Sequence, residues 1–190
     1  MNYLAHAYLS NNNNDLLIGN FIADHVRGNV LDGYPAGIVE GIKLHRKIDT
    51  FTDEHPMFRK SKRIFYDDFE KHSGILVDIY FDYFLAKDFN SHSNTPLKEF
   101  SKNVYSVYTE NIGYLPETSA RFLSYVIKNN IYESYGNIEG ISQVLFHLSH
   151  RIKHGVALQD SVKVLNEKLP EMQANFDAFF KDLKAEFIHD

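Results

Sequence analysis

The chain has 190 residues, enough for one compact domain with a single hydrophobic core. It contains no cysteine, which excludes disulfides, thiolate metal ligands and cysteine nucleophiles. A formal net charge of −5 argues against bulk nucleic-acid binding. The first ten residues lack the basic start of a signal peptide, and no apolar stretch has the length of a membrane span. We therefore expect a soluble, cytoplasmic protein with no nucleic-acid or membrane partner, and its oligomeric state stays open.

Hydrophobic periodicity predicts helix nearly throughout the chain, so the expected fold is all-α, with one domain over residues 1–190. Asp15 is a candidate cap, Gly28 ends a helix, and Pro35 and Pro56 suit first helical turns. The predicted helices span residues 2–9, 15–26, 35–53, 56–69, 75–87, 96–111, 117–131, 137–153 and 158–187.

The helix predicted over residues 75–87 is apolar almost all round, so it should lie at the centre of the fold. It nevertheless carries Asp78 and Asp82, which lie four residues apart on one face. Buried carboxylates at this spacing repel each other and need a cation nearby. A metal ion, an arginine or a histidine would serve.

Three other helices also place ligand-type side chains on apolar faces. His45, Asp49 and Asp53 share one stripe, because each step of four residues turns the direction by only about 40°. Asn20 and Asp24 lie four residues apart, as do Asn2 and His6. Separate salt bridges would explain each pair alone, but one shared metal site explains four helices more simply.

Weaker constellations are set aside. His147, His150 and His154 share a face that reads as a surface or core edge, and a single Glu-x-x-His occurs near the C-terminus. His25 belongs to no recognised site pattern. No phosphate-binding glycine loop, dinucleotide fingerprint or Gly-x-Ser-x-Gly elbow occurs.

Five stretches carry a resemblance to a known family. They are Met-Asn-Tyr-Leu-Ala-His at 1–6, Gly-Asn-Phe-Ile-Ala-Asp-His-Val-Arg-Gly at 19–28, the 41–56 segment with His-Arg-x-Ile-Asp-x-x-Thr-Asp, Asp78-x-x-x-Asp82, and Leu-Ser-His-Arg at 148–151. The chain resembles the acyl carrier protein phosphodiesterases, a divergent branch of the HD-type metal phosphohydrolases. Tyr83 stands where the family pattern often has histidine, so no role of that imidazole transfers.

The resemblance implies an HD-like helical enzyme that hydrolyses the phosphodiester between 4′-phosphopantetheine and a serine of holo-acyl carrier protein. The implied cofactor is a divalent metal, most naturally Mn²⁺. The candidate metal ligands are His6, Asp24, His45, Asp49 and Asp78. Asp53 or Asp82 would orient the water or act as general base. The candidate substrate-binding residues are Arg27, Arg46, Arg59 and Arg63.

Acyl carrier proteins are acidic, so docking should use the basic stretch from Lys43 to Arg63; counted from Glu40 to Arg63, this region has seven basic residues against four acids. Two alternatives remain open at this point. One is an HD-like phosphohydrolase of nucleotides or other small phosphodiesters, and the other is a non-catalytic helical carrier-binding protein.

Overall fold

A computed structural model describes residues 3–28, 31–152 and 156–188. Within these ranges all regular structure is helical, which confirms the all-α prediction; the HD-like assignment stays a prediction. None of the described helices is both long and apolar enough to cross a membrane. The α-helices are α1 (Tyr3–Leu9), α2 (Asn14–Ile22), α3 (Ala36–Glu54), α4 (Pro56–Phe69), α5 (Ser73–Lys87), α6 (Leu97–Glu110), α7 (Glu117–Lys128), α8 (Ile131–Ser134), α9 (Ile138–Ser149), α10 (Ser161–Glu167) and α11 (Leu169–Phe187).

The second helix differs from its prediction at both ends. The cap is Asn13 rather than Asp15, because the Asn13 side chain accepts a hydrogen bond from the Leu16 backbone N–H at 3.1 Å. The helix ends at Ile22 and tightens into a 3₁₀ turn over Ala23–His25. Asp24 therefore lies in a turn rather than on a regular helix face. Residue 2 of the predicted first helix lies outside the described residues.

Three helices in the second half are shorter than predicted. The predicted 117–131 helix stops at Lys128, and a short α8 follows Asn130, whose φ of 45° is left-handed. The predicted 158–187 helix is interrupted at Lys168, because Pro170 fits only the first turn of a new helix. The predicted 137–153 helix ends at Ser149, and residue 153 lies outside the described ranges.

Helix α5 lies at the centre of the core, as its composition predicts. Eleven of its fifteen residues are buried, and it packs against α1, α4, α9 and α11. Phe81 and Phe84 meet Phe179 and Phe176 of α11, with ring centroids 5.0 and 5.6 Å apart. These aromatic contacts stabilise the packing of the C-terminal helix α11 against α5.

Two glycines allow α2 and α3 to pack backbone against backbone. A Cβ at Gly41 would lie 2.9 Å from Gly19 Cα and would overlap the Leu16 carbonyl oxygen. A Cβ at Gly19 would likewise overlap the Ile38 carbonyl oxygen. This contact matters for function, because α2 leads into Asp24 while α3 carries two of the other candidate ligands.

We predict that Gly41→Ala destabilises the protein by about 1–3 kcal/mol, since the added methyl group forces the two backbones apart. Urea unfolding followed by circular dichroism measures this change. Gly113→Ala is the control, because no atom lies within 4 Å of a Cβ built there. Equal stability of the two variants would contradict the close-approach explanation.

Candidate metal centre

Two buried histidines form the centre of the site. His6 comes from α1 and His45 from α3, and only 4% and 5% of their surfaces are exposed. Their rings stack with centroids 4.1 Å apart and an interplanar angle of 20°. Both Nδ1 atoms lie against one oxygen, Asn20 Oδ1 of α2, at 2.8 Å for His6 and 3.0 Å for His45.

The orientation of the Asn20 amide fixes the tautomer of both rings. Its Nδ2 donates to the His6 backbone carbonyl oxygen at 2.9 Å, and a carbonyl oxygen can only accept. The amide oxygen therefore faces the imidazoles, and we assign a hydrogen to each Nδ1. As a result, the Nε2 atom of each ring points toward the carboxylates.

Those Nε2 atoms meet carboxylate oxygens at short distances. His6 Nε2 lies 3.2 Å from Asp49 Oδ1, and His45 Nε2 lies 3.0 Å from Asp49 Oδ2 and 3.2 Å from Asp24 Oδ1. His6 Nε2 is nevertheless buried without a hydrogen bond of acceptable geometry among the described residues. A buried polar atom in this state is costly unless a further partner binds it.

Burial and the contacts between the histidines and the acids set the charges in the cluster. Burial lowers the pKa of His6, so its Nε2 presents a lone pair beside the Asp49 carboxylate, and the two repel each other unless a proton or a metal ion lies between them. Burial also acts to lower the pKa of His45, but contacts with Asp24 and Asp49 outweigh it and raise that pKa to about 9. Contact with His45 lowers the pKa of Asp24. Two anionic oxygens and an unprotonated nitrogen thus converge in one place.

His6, His45 and Asp49 each offer one ligand atom, and these atoms all lie within 4.8 Å of one another. Imidazole nitrogen and carboxylate oxygen are ligands for first-row divalent ions. In addition, Asn20 holds the rings through their second nitrogens, as outer partners of metal-bound histidines do. The donor set therefore fits a divalent metal, which supports that part of the sequence prediction.

Three further predicted acids lie at the same cleft. Asp24 is about half exposed and accepts a hydrogen bond from the Tyr3 hydroxyl at 3.4 Å. Asp53 lines the cleft one turn beyond Asp49, and Asp78 lines it from α5. The structure therefore brings together all five predicted metal ligands and one of the two predicted catalytic acids.

Asp82 is placed elsewhere. It is fully buried, and its carboxylate accepts hydrogen bonds from the backbone N–H groups of Leu4 at 2.8 Å and Ala5 at 3.2 Å. It does not line the cleft. Its contacts fit an anchor for the start of α1, the helix that carries His6, rather than direct contact with a reacting group.

None of the four predicted substrate-binding arginines lines the cleft. Arg46 Nη2 donates to the Gly28 carbonyl oxygen at 2.8 Å, which ties α3 to the turn that follows Asp24. Arg59 Nε donates to the Asp53 carbonyl oxygen at 3.1 Å. Arg27 and Arg63 are exposed.

The opposite wall of the cleft contains residues that the sequence analysis did not assign to the site. The cleft has a volume of about 440 Å³, and this wall comes from α7, α8, α9 and the turn after α9. Val144, His147, Leu148 and Arg151 follow an i, i+3, i+4, i+7 spacing, which was the only sequence signal for this wall. Spacing alone does not show which face of α9 meets the first half of the chain. His147 lines this wall and is exposed, in agreement with the predicted surface or core edge, and His154 lies outside the described residues. The unassigned lining residues with polar groups are Tyr3, Thr52, Tyr125, Tyr135, His147 and Arg151.

The chain is similar over nearly its whole length to proteins of one named family. The family model described as acyl carrier protein phosphodiesterase matches residues 1–183. A protein of that name from Yersinia pestis is 31% identical over 193 residues, covering 100% of this chain and 98% of the relative. Relatives of the same name from Pectobacterium atrosepticum and Enterobacter sp. strain 638 are 31% and 32% identical, each covering 95% of this chain and 94% of the relative. No solved structure matches the chain.

The anchor at α1 predicts a specific dependence of stability on pH. Burial raises the pKa of Asp82 to about 7, above the value near 4 that an aspartate has in an unfolded chain. The folded state therefore binds this proton more tightly, and the free energy of unfolding should fall as the pH rises from about 4 to about 7. In Asp82→Asn this contribution is absent, so the difference between wild type and variant should decline across that range.

Urea unfolding at a series of pH values measures this difference. Asp88→Asn, which changes an exposed acid just beyond α5, is the control and should run parallel to wild type. If the free energy of unfolding of Asp82→Asn also changes with pH in parallel with that of wild type, the Asp82 carboxyl does not titrate in this range. The claim that the folded state holds its proton more tightly is then wrong.

Proposed function

Because the chain belongs to the acyl carrier protein phosphodiesterase family, we propose that it hydrolyses the phosphodiester that links 4′-phosphopantetheine to a serine of holo-acyl carrier protein. The products are apo-acyl carrier protein and 4′-phosphopantetheine. The sequence prediction of the family, and with it the class of phosphoric diester hydrolase, is confirmed by the match. One structural observation carries the proposed chemistry: a buried imidazole nitrogen of His6 that makes no hydrogen bond among the described residues and lies beside the Asp49 carboxylate in an open cleft.

We propose that His6, Asp24, His45, Asp49 and Asp78 hold a divalent ion, with Mn²⁺ as the expected species. The hard oxygen and nitrogen donors of this set suit such an ion, and the short distances between His6, His45 and Asp49 support it. When bound, the ion supplies a Lewis acid for a phosphoryl oxygen and lowers the pKa of water.

Asp53 is the acid best placed to accept the proton of the attacking water. It lies on α3 four residues beyond Asp49, lines the cleft and is exposed, so its carboxylate can reach a substrate. The water oxygen forms the new bond to phosphorus as the bond to the serine oxygen breaks. Asp53 then gives that proton up, and the leaving serine oxygen takes a proton to become the serine hydroxyl. Asp82 contributes by holding α1, and so His6, in position.

The carrier is proposed to dock on the basic stretch from Lys43 to Arg63, on the exposed sides of α3 and α4. Lys47 and Arg63 are exposed and make no ion pair among the described residues. Lys43 pairs with Glu40 at 2.7 Å and Lys60 with Glu171 at 3.4 Å, so these two would have to exchange partners. Exposed positive charge of this kind speeds the encounter with an acidic partner.

The proposal predicts that the protein, with Mn²⁺ added, converts holo-acyl carrier protein to the apo form with release of 4′-phosphopantetheine. Gel mobility of the carrier and mass spectrometry of the released arm measure this reaction. Asp49→Asn should lower the rate by more than about 100-fold, since the loss of even an outer partner of a metal ligand costs about 10–100-fold. Asp67→Asn, an exposed acid on α4, should match wild type.

Two outcomes would contradict the proposal. In one, the carrier stays in its holo form while nucleotide or other small diesters are hydrolysed, which would indicate a different phosphohydrolase. In the other, no diester is hydrolysed and Asp49→Asn changes nothing, which would indicate a non-catalytic carrier-binding protein.

A further inference from the structure

One stripe of the α9 region lines the same cleft as the metal cluster. Val144, His147, Leu148 and Arg151 follow the i, i+3, i+4, i+7 spacing and all line the cavity. The turn after α9 keeps Arg151 in this register, because its backbone N–H donates to the Leu148 carbonyl oxygen at 2.9 Å. A single helical segment thus presents both apolar surface and a positive charge to the site.

Four side chains form what we call the apolar wall: Phe122 of α7, Ile131 of α8, and Val144 and Leu148 of α9. Ile131 is buried, whereas the other three keep part of their surface exposed in the cleft. Among the described lining residues of α7, α8, α9 and the turns that follow them, none is acidic. All the acidic side chains that line the cleft come from the other side, namely Asp24, Asp49, Asp53 and Asp78.

Arg151 is the positive side chain of this surface. Its guanidinium lies over the ring of Tyr125, with the Cζ atom 5.3 Å from the ring centroid. In the part of the chain that the structure describes, it forms no ion pair with a carboxylate. The stacked ring orients the guanidinium while its N–H donors stay available, and such a planar fork suits the paired oxygens of a phosphate group.

We propose that Arg151 and the apolar wall form a subsite for the pantetheine arm of the substrate. Arg151 binds the phosphodiester from the side opposite the carboxylates, and the carbon chain of the arm lies along the apolar wall. This inference rests on the proposed function and adds which part of the substrate the enzyme recognises.

The arrangement of charge and volume favours this occupant. A phosphodiester anion suits a cavity lined both by a cation and by a metal-binding cluster. The apolar wall lines the same cavity, so a flexible chain attached to the phosphate can lie along it without leaving the cavity. The volume of about 440 Å³ falls in the range of about 300–1,000 Å³ that small-molecule sites occupy. A purine or pyrimidine base, by contrast, would find no carboxylate or amide on this wall to pair with its edge.

The test measures binding to the full-length protein with Mn²⁺ present, by isothermal titration calorimetry. The three probes are 4′-phosphopantetheine, pantetheine and inorganic phosphate. The phosphorylated arm should bind at least about tenfold more tightly than either fragment, because it alone engages both halves of the subsite.

Two pairs of variants separate the two halves. Val144→Trp fills the apolar wall and should lower the affinity for 4′-phosphopantetheine by about tenfold while leaving that for inorganic phosphate unchanged. Its control is Val162→Trp, at a half-buried valine of α10 outside the cleft. Arg151→Lys should weaken the binding of 4′-phosphopantetheine and of inorganic phosphate but not that of pantetheine. Its control is Arg121→Lys, which changes an exposed arginine paired with Glu117 and should weaken the binding of none of the three probes.

The inference is overturned if 4′-phosphopantetheine binds no better than inorganic phosphate, or if Val162→Trp reproduces the effect of Val144→Trp. Circular dichroism of each variant excludes misfolding as the cause. These outcomes differ from failure of the proposed function. If only the subsite is wrong, the wild-type protein still releases the arm from holo-acyl carrier protein; if the proposed function is wrong, it does not.

Discussion

The amide oxygen of Asn20 is the point on which the site depends. It accepts from Nδ1 of both His6 and His45, while the amide nitrogen donates to the His6 backbone carbonyl and so cannot turn over. One buried side chain therefore sets the tautomer of two rings from two helices. The Nε2 atom of His6, which makes no hydrogen bond among the described residues and lies 3.2 Å from Asp49 Oδ1, is then placed to meet a cation beside Asp49. The metal-binding chemistry of the cleft follows from that arrangement.

The scaffold serves this geometry at three places. Gly19 and Gly41 let α2 and α3 approach until His45 Nδ1 lies 3.0 Å from Asn20 Oδ1, the oxygen that His6 also contacts. Asp82 of the central helix holds the first turn of α1, and Arg46 holds the turn that follows Asp24. Each contact fixes a segment that carries a ligand. Residues that are not ligands themselves therefore still set the distances between the ligand atoms.

Much of this was predictable from local pattern, because helical spacing alone places His45 beside Asp49 and buries α5. The different positions of the Asp78 and Asp82 carboxylates could not be predicted in this way. Both lie on one face of a helix that is apolar all round, and only the position of α1 shows which carboxylate meets backbone N–H groups rather than the cleft. The Leu-Ser-His-Arg stretch singled out Arg151 only as part of the resemblance: its spacing on the α9 stripe is local, but its place in one cleft with His6 and Asp24 depends on long-range packing. The arginines near the ligands in sequence do not line the cleft, since sequence proximity does not give side-chain direction.

The most direct test of this account measures Mn²⁺ affinity in wild type and in Asn20→Ala by calorimetry. The variant should bind the ion about 10–100-fold more weakly, because both rings lose the partner that orients them. Asn175→Ala is the matched control: this amide is also buried, and its Nδ2 donates to Ser61 Oγ at 3.2 Å, between α11 and α4. That control should keep the wild-type affinity even where it loses stability. Equal Mn²⁺ affinity in folded Asn20→Ala and wild type would contradict the claim that the shared amide oxygen builds the metal centre.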